Sequence, residues 1–192
     1  PSDNNFLINP IDKSGTRISS LSQISETGVT GSQLTIPTYA GYTVDSTAEQ
    51  TVVAGQTSYD VVYSPNAETL TVHYVGLPEG QTLPDDVENG VTDEQYNYAA
   101  PVVTGYAPDQ TNVSGVYGAS NATITITYTK KDFDYYVLPI DSNGNVISGA
   151  SEGFYNGEAG SPIQQPTVKG YSYADDSNSS LTVPNVDGVT LK

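Results

Sequence analysis

Apolar residues in this chain fall mainly at alternate positions, in short runs. Leu70, Val72 and Tyr74 alternate with Thr71 and His73; Tyr59, Val61 and Tyr63 stand around Asp60; Ile124, Ile126 and Tyr128 stand around Thr125. A period of two sends one set of side chains to a core and the other to solvent, as a half-buried antiparallel strand requires. A three-residue step occurs at Ile18, Leu21 and Ile24, but Ser19, Ser20 and Ser22 are poor helix formers. Short strands joined by turns are expected, with at most one short helical turn per unit.

The runs recur. Pro-x-x-x-Gly-Tyr appears at Pro37 to Tyr42, Pro101 to Tyr106 and Pro166 to Tyr171, so the Gly-Tyr pairs begin 64 and 65 residues apart. An opening strand precedes each motif: Phe6-Leu7-Ile8, Leu70-Thr71-Val72 and Tyr135-Tyr136-Val137. Copies one and three continue into Pro-Ile-Asp, at Pro10-Ile11-Asp12 and Pro139-Ile140-Asp141, and turn glycines follow at Gly15, Gly80 and Gly144. A closing strand comes after each motif, the third marked by Val189 and Leu191 around Thr190. Three units result, 1–66, 67–131 and 132–192, with polar seams at Ser64-Pro65-Asn66 and Lys130-Lys131-Asp132. Ile8, Val72 and Val137 are expected in one buried column, and Val61, Ile126 and Leu191 in another. Units of about 64 residues are small, so neighbours are expected to stack in an elongated row.

Charge narrows the partners. With 22 acidic and 6 basic residues the formal net charge is -16, which disfavours nucleic acid and anionic membrane. Cysteine is absent, which excludes disulfides and thiolate chemistry, and His73 stands alone. Methionine is absent even at position 1, as expected of a piece of a longer chain, and any export or anchoring signal would lie in its other parts. No run approaches the ~20 apolar residues of a membrane span, so direct membrane insertion is not expected. The many Thr, Val, Ile and Tyr residues, punctuated by 18 Gly and 12 Pro, fit β structure rather than disorder.

The order of opening strand, turn, Pro-x-x-x-Gly-Tyr and closing strand resembles the MucBP (mucin-binding protein) repeat of Gram-positive cell-surface adhesins. The resemblance covers all three units. It implies a mainly β or α+β chain of tandem ubiquitin-like β-grasp repeats, extracellular and cell-wall anchored, that binds host mucin glycans or glycoproteins, or immunoglobulin. A monomer within a longer multi-repeat chain is implied, and no enzyme. The alternative is a non-binding stalk that projects a distal adhesive domain. Copy two departs from the pattern: Gly76 stands where the others have Asp12 and Asp141, and Asn89-Gly90 comes two residues early relative to Gly28 and Gly157.

Candidate sites are few. The repeated Gly-Tyr pairs read as positive-φ glycines followed by core tyrosines. Tyr98 and Tyr39 align with apolar columns and are expected in the core. Tyr96 aligns with Ser32 and Ser161, and Tyr117 with Val53 and Thr182, so these two are expected at the surface as ligand contacts. Asp141, Asn143, Asn145 and Glu152 occupy positions 1, 3, 5 and 12 of an EF-hand-like calcium loop. Val146 replaces its turn glycine, so a plain turn is the default, and no other cofactor is expected. Asp85-Asp86 and Asp175-Asp176 read as solvated carboxylate pairs. His73 belongs to a strand's outer face, no Gly-x-Ser-x-Gly elbow accompanies it, and no catalytic residue is assigned. A repeated Lys–Asn isopeptide bond is not expected, because copy two has no Lys before Lys130.

Overall fold

The structure, a computed structural model, describes residues 2–45, 50–173 and 181–192. Among these the chain is mainly β, with thirteen strands and no helix, within the bound of at most one helical turn per unit. The chain packs as two compact units. Pro1–His73, Pro84–Ala99 and Asn112–Thr125 form one; Tyr74–Leu83, Ala100–Thr111 and Ile126–Lys192 form the other.

In the first unit, β1 (Asp3–Ile11), β2 (Ile24–Val29), β3 (Tyr42–Val44) and β4 (Ser58–Pro65) form a sheet of order β2-β1-β4-β3. Strand β1 runs antiparallel to β2 and parallel to β4, with Ile8 opposite Tyr59 and Pro10 opposite Val61. Strand β3 returns antiparallel to β4, with Tyr42 opposite Pro65. Alternation along β1 and β4 turns Phe6, Ile8, Tyr59, Val61 and Tyr63 into one core, closed by Leu21, Leu34 and Val52. Phe6 meets Tyr59 edge-on at 5.0 Å. Full burial of each aliphatic side chain there stabilises by roughly 1.5–3 kcal/mol. The Tyr63 hydroxyl, deep in that core, donates to the Pro37 carbonyl at 2.6 Å, so a buried polar atom is satisfied and the Pro-x-x-x-Gly-Tyr segment is tied down.

A second sheet has order β6-β5-β10-β8, from β5 (Ala67–Val75), β6 (Asp86–Val91), β8 (Tyr106–Pro108) and β10 (Ala122–Lys130). Tyr128 on β10 repeats the lock, donating to the Pro101 carbonyl at 2.6 Å. Strands β7 (Gln95–Ala99) and β9 (Asn112–Val116) form a separate antiparallel pair. In the other two copies that pair shrinks to single bridges, Gln33 to Thr51 and Pro162 to Thr182. The third sheet, β12-β11-β13, joins β11 (Asp132–Val137) antiparallel to β12 (Gly153–Glu158) and parallel to β13 (Val189–Leu191).

The buried columns hold with one correction. Ile8, Val61, Val72 and Ile126 are wholly buried and Val137 nearly so. Leu191 is only half-buried, packed against the third core. It stands opposite Val137 as Tyr59 stands opposite Ile8, so it takes the place of Tyr59, not Val61. The cause is loop length: 21 residues separate Gly170 from Leu191, whereas 18 separate Gly41 from Tyr59.

Candidate functional site: aromatic and acidic positions

Tyr117 is 6% exposed, which corrects its expected place at the surface. Its ring lies on Gly90 of β6, as Val52 covers Gly28 and Val183 covers Gly157. The backbone agrees. Tyr117 exchanges hydrogen bonds with Asp93 and Glu94, as Val52 does with Gly31 and Ser32, and Val183 with Gly160 and Ser161. Tyr117 therefore fills a core column one residue from the one expected. Asp93 accordingly sits at φ 69°, where the other copies use glycine. By the same register Gln95 matches Gln33 and Pro162, so Tyr96 falls with Leu34 and Ile163 instead of Ser32 and Ser161. Tyr96 is half-buried, covers Gly115, and meets Tyr117 edge-on at 5.2 Å. The early Asn89-Gly90 was the signal: a two-residue shift carried forward from Gly90 moves Tyr96 into the core column.

The loop after β11 closes on itself. Asp141 Oδ1 accepts the N–H groups of Asn143 (2.8 Å) and Asn145 (2.9 Å), and these hold its carboxyl below the usual range. Asp12 makes the same turn with Ser14 and Thr16, and their hydrogen bonds lower its pKa likewise. Glu152 lies apart from that turn, accepting from the Thr190 hydroxyl at 2.9 Å. Asp141, Asn143 and Asn145 thus share a turn that Glu152 does not join. Among the described residues no group of three or more His, Asp or Glu side chains is placed to hold a metal.

His73 is exposed, with Nδ1 2.7 Å from Asp85 Oδ1. Asp86 accepts from the Tyr98 hydroxyl. Tyr98 and Tyr39 are half-buried, Tyr39 against the first core. Asp175-Asp176 lies outside the described residues. Gly41, Gly105 and Gly170 have φ of 78°, 78° and 85°, as expected, while Tyr42 and Tyr106 are half-buried and Tyr171 is 58% exposed instead of in a core.

Two features escaped the sequence reading. Tyr136 and Phe154 face each other across β11 and β12 with ring centroids 5.4 Å apart, and Phe154 is 59% exposed. Beside them, Asn156 donates to Asp134 at 2.7 Å and Thr190 pairs with Tyr136 across β13. An aromatic surface edged by carboxylate, amide and hydroxyl groups can stack on an apolar sugar face and bond its hydroxyls. Its signal was available: copy one has Leu7 and Ser25 at these places, so the pair does not repeat.

The other feature is the seam. The Gly41 carbonyl accepts the Asn66 N–H (2.8 Å), and the Asn66 carbonyl accepts the Thr92 N–H (3.0 Å). Gly105, Lys131 and Ala159 repeat this chain of bonds at 2.9 and 3.0 Å. At the first seam the Tyr42 hydroxyl donates to Asp93 Oδ2 at 2.7 Å, and Ser20 donates to the same oxygen. These bonds hold the Asp93 pKa below its ordinary value, Ser20 contributing most. At the second, Lys130 Nζ meets Glu158 at 2.9 Å.

The geometry is that of β-sheets whose exposed aromatic and polar side chains offer contacts. Residues 69–129 match the family model described as the MucBP domain. No curated protein matches the chain. Among solved structures, the type 2 repeat of the mucus binding protein MUB from Lactobacillus reuteri is 17% identical, covering 66% of this chain and 99% of that one, at a TM-score of 0.27. The Bacillus anthracis TIE protein is 10% identical over 100% of this chain and 50% of its own, at 0.39. Domains 3-4 of the Streptococcal High Identity Repeats in Tandem from a cell surface protein are 16% identical, covering 66% and 98%, at 0.26.

Proposed function

We propose that this chain is a repeat segment of an extracellular adhesin whose repeats bind mucin glycoproteins. The MucBP match over residues 69–129 carries the reading. Three tandem repeats are proposed, at 1–66, 67–131 and 132–192, each of β-grasp type. The central opening strand, antiparallel to its successor and parallel to the closing strand in the first and third sheets, supports that architecture. The proposed contact surface is Phe154 with Tyr136, followed by the partly open ring of Tyr96. Carboxylates around the first pair favour neutral sugars over sialylated or sulfated ones.

Retention of the full chain on immobilised mucin, beside a glycan array, tests the reading. Binding above a scrambled-sequence control, reduced at least about threefold by Phe154→Ala without loss of folding, supports both function and site. Binding untouched by that change moves the site elsewhere. No binding in either assay sinks the adhesive reading.

The stalk reading has its own observation. Both seams are clamped by paired backbone hydrogen bonds through the repeated Gly-Tyr motif, which suits a spacer as well as a binder. Intact folding with no mucin or glycan binding would favour it.

A further inference from the structure

The first sheet has a small cavity at its β2 edge, of about 90 Å³. Its walls include Phe6, Glu26, Gly28, Gln33, Thr35 and Val52. One water needs only roughly 10–15 Å³, so the space suits something larger. Copy three closes the same corner with two tyrosines. Tyr135 and Gln164 lie 129 residues after Phe6 and Thr35. The Tyr135 hydroxyl accepts the Gln164 N–H at 3.0 Å. Tyr155 stands opposite Tyr135 as Glu26 stands opposite Phe6, and its ring stacks there with centroids 5.7 Å apart and planes 25° apart.

Copy one keeps the frame and lacks both fillings. The Phe6 ring lies beside Gly28 much as the Tyr135 ring lies beside Gly157: a Cβ on the glycine would stand 3.2 Å from the first and 3.7 Å from the second. Phe6, however, has no hydroxyl to offer Thr35, and a carboxylate stands where Tyr155 has its ring. Among the described residues the Thr35 N–H has no hydrogen-bond partner, and neither have the side chains of Glu26, Gln33 and Thr35.

We propose that this cavity binds one neutral hexose ring, with a sugar hydroxyl in the place that the Tyr135 phenol oxygen takes in copy three. A backbone N–H and a carboxylate line the same cavity, so the group between them must accept from one and donate to the other. A hydroxyl does both. An ionised carboxylate or a sulfate cannot donate and would meet the charge of Glu26, while an ammonium cannot accept from Thr35. Phe6 and Val52 supply the apolar wall, and the Gln33 amide and Thr35 hydroxyl fix the rest of the ring. This site goes beyond the mucin reading and is separate from Phe154 and Tyr136. Free hexose tests it directly, so mucin retention can fail without touching it.

Galactose, glucose and mannose are titrated in turn against the full chain, with amide shifts followed by NMR. At least one hexose is expected to shift the Glu26, Gly28 and Thr35 amides saturably, and N-acetylneuraminic acid to bind at least about tenfold more weakly. Phe6→Tyr should slow amide exchange at Thr35 roughly tenfold and weaken hexose binding at least about tenfold, because the protein then supplies its own hydroxyl. Glu26→Gln, at an exposed edge position, should keep the fold and weaken binding at least about threefold. No saturable shift at these amides with any of the three hexoses, or binding unchanged in either variant, would overturn the proposal.

Discussion

The ring of Tyr117 rests on Gly90: a Cβ built on that glycine would stand 2.2 Å from the ring. The same relation holds, with smaller side chains, between Val52 and Gly28 and between Val183 and Gly157. A flat ring and a glycine have replaced a branched aliphatic and a glycine at one structural place.

That equivalence gives the first prediction. Tyr117→Ala removes a buried ring and is expected to cost about 3–5 kcal/mol. Tyr117→Val keeps the side chain that the other copies use, so it should cost less than half as much. Urea denaturation of the three proteins measures both. Equal losses from Val and Ala would show that the three positions are not alike.

Gly41 and Gly170 share a motif and a positive φ, yet differ in surroundings. A Cβ at Gly41 would stand 2.7 Å from Thr92 and 2.9 Å from the Ala119 backbone, while none of the described residues lies within 4 Å of one at Gly170. Gly170→Ala should cost about 1–2 kcal/mol from backbone conformation alone. Gly41→Ala adds overpacking of about 1–3 kcal/mol. Thermal denaturation should therefore rank Gly41→Ala clearly lower; the reverse order would contradict the seam geometry.

Thr92 is 6% exposed, and its hydroxyl has no hydrogen-bond partner among the described residues. Burying an unpaired hydroxyl costs about 1–3 kcal/mol. The matching place at the second seam holds Ala159. Thr92→Ala is expected to be neutral or to stabilise by up to about 1 kcal/mol, despite the lost methyl. Calorimetry decides: a loss above about 2 kcal/mol would mean that the hydroxyl is bonded in solution.

The loop carboxylates predict a pH response. Asp12 and Asp141 have folded pKa values below the ordinary 3.8, because their own loops donate to the charged form. Groups depressed on folding contribute stability above the unfolded pKa and lose it as pH falls through the folded one. Stability should therefore fall as the pH drops below about 4, and the Asp12→Asn, Asp141→Asn double variant should show a shallower fall. Calcium or a chelator at neutral pH should shift Tm by less than about 1 °C, since Asp141 is engaged by its own turn. A calcium-dependent rise of several degrees would restore the metal reading of Asp141, Asn143, Asn145 and Glu152.

The columns through Ile8, Val72 and Val137 were legible because alternation and repetition both marked them. What failed was register after an insertion or deletion. Asn89-Gly90 marks a two-residue shift that carries through to Tyr96 and Tyr117, so a half-buried and a buried residue look like surface ones in the unshifted register. Leu191 moved for the same reason, through a longer loop. The part played by Gly41 and Gly105 had no local signal at all. Each glycine's carbonyl bonds a seam residue more than twenty positions away, and only a fold can bring those together.

The parallel pairing of β1 with β4 has a mechanical consequence. The chain enters the first sheet at Asp3 and leaves it at Pro65, and two parallel neighbours put entry and exit at opposite ends of the pair. Tension along the polypeptide would slide β1 past β4, loading their row of cross-strand bonds together instead of unzipping them singly. Under such a load the resistance lies in a few backbone bonds between Leu7 and Val62. Single-molecule extension would show it as a high force peak.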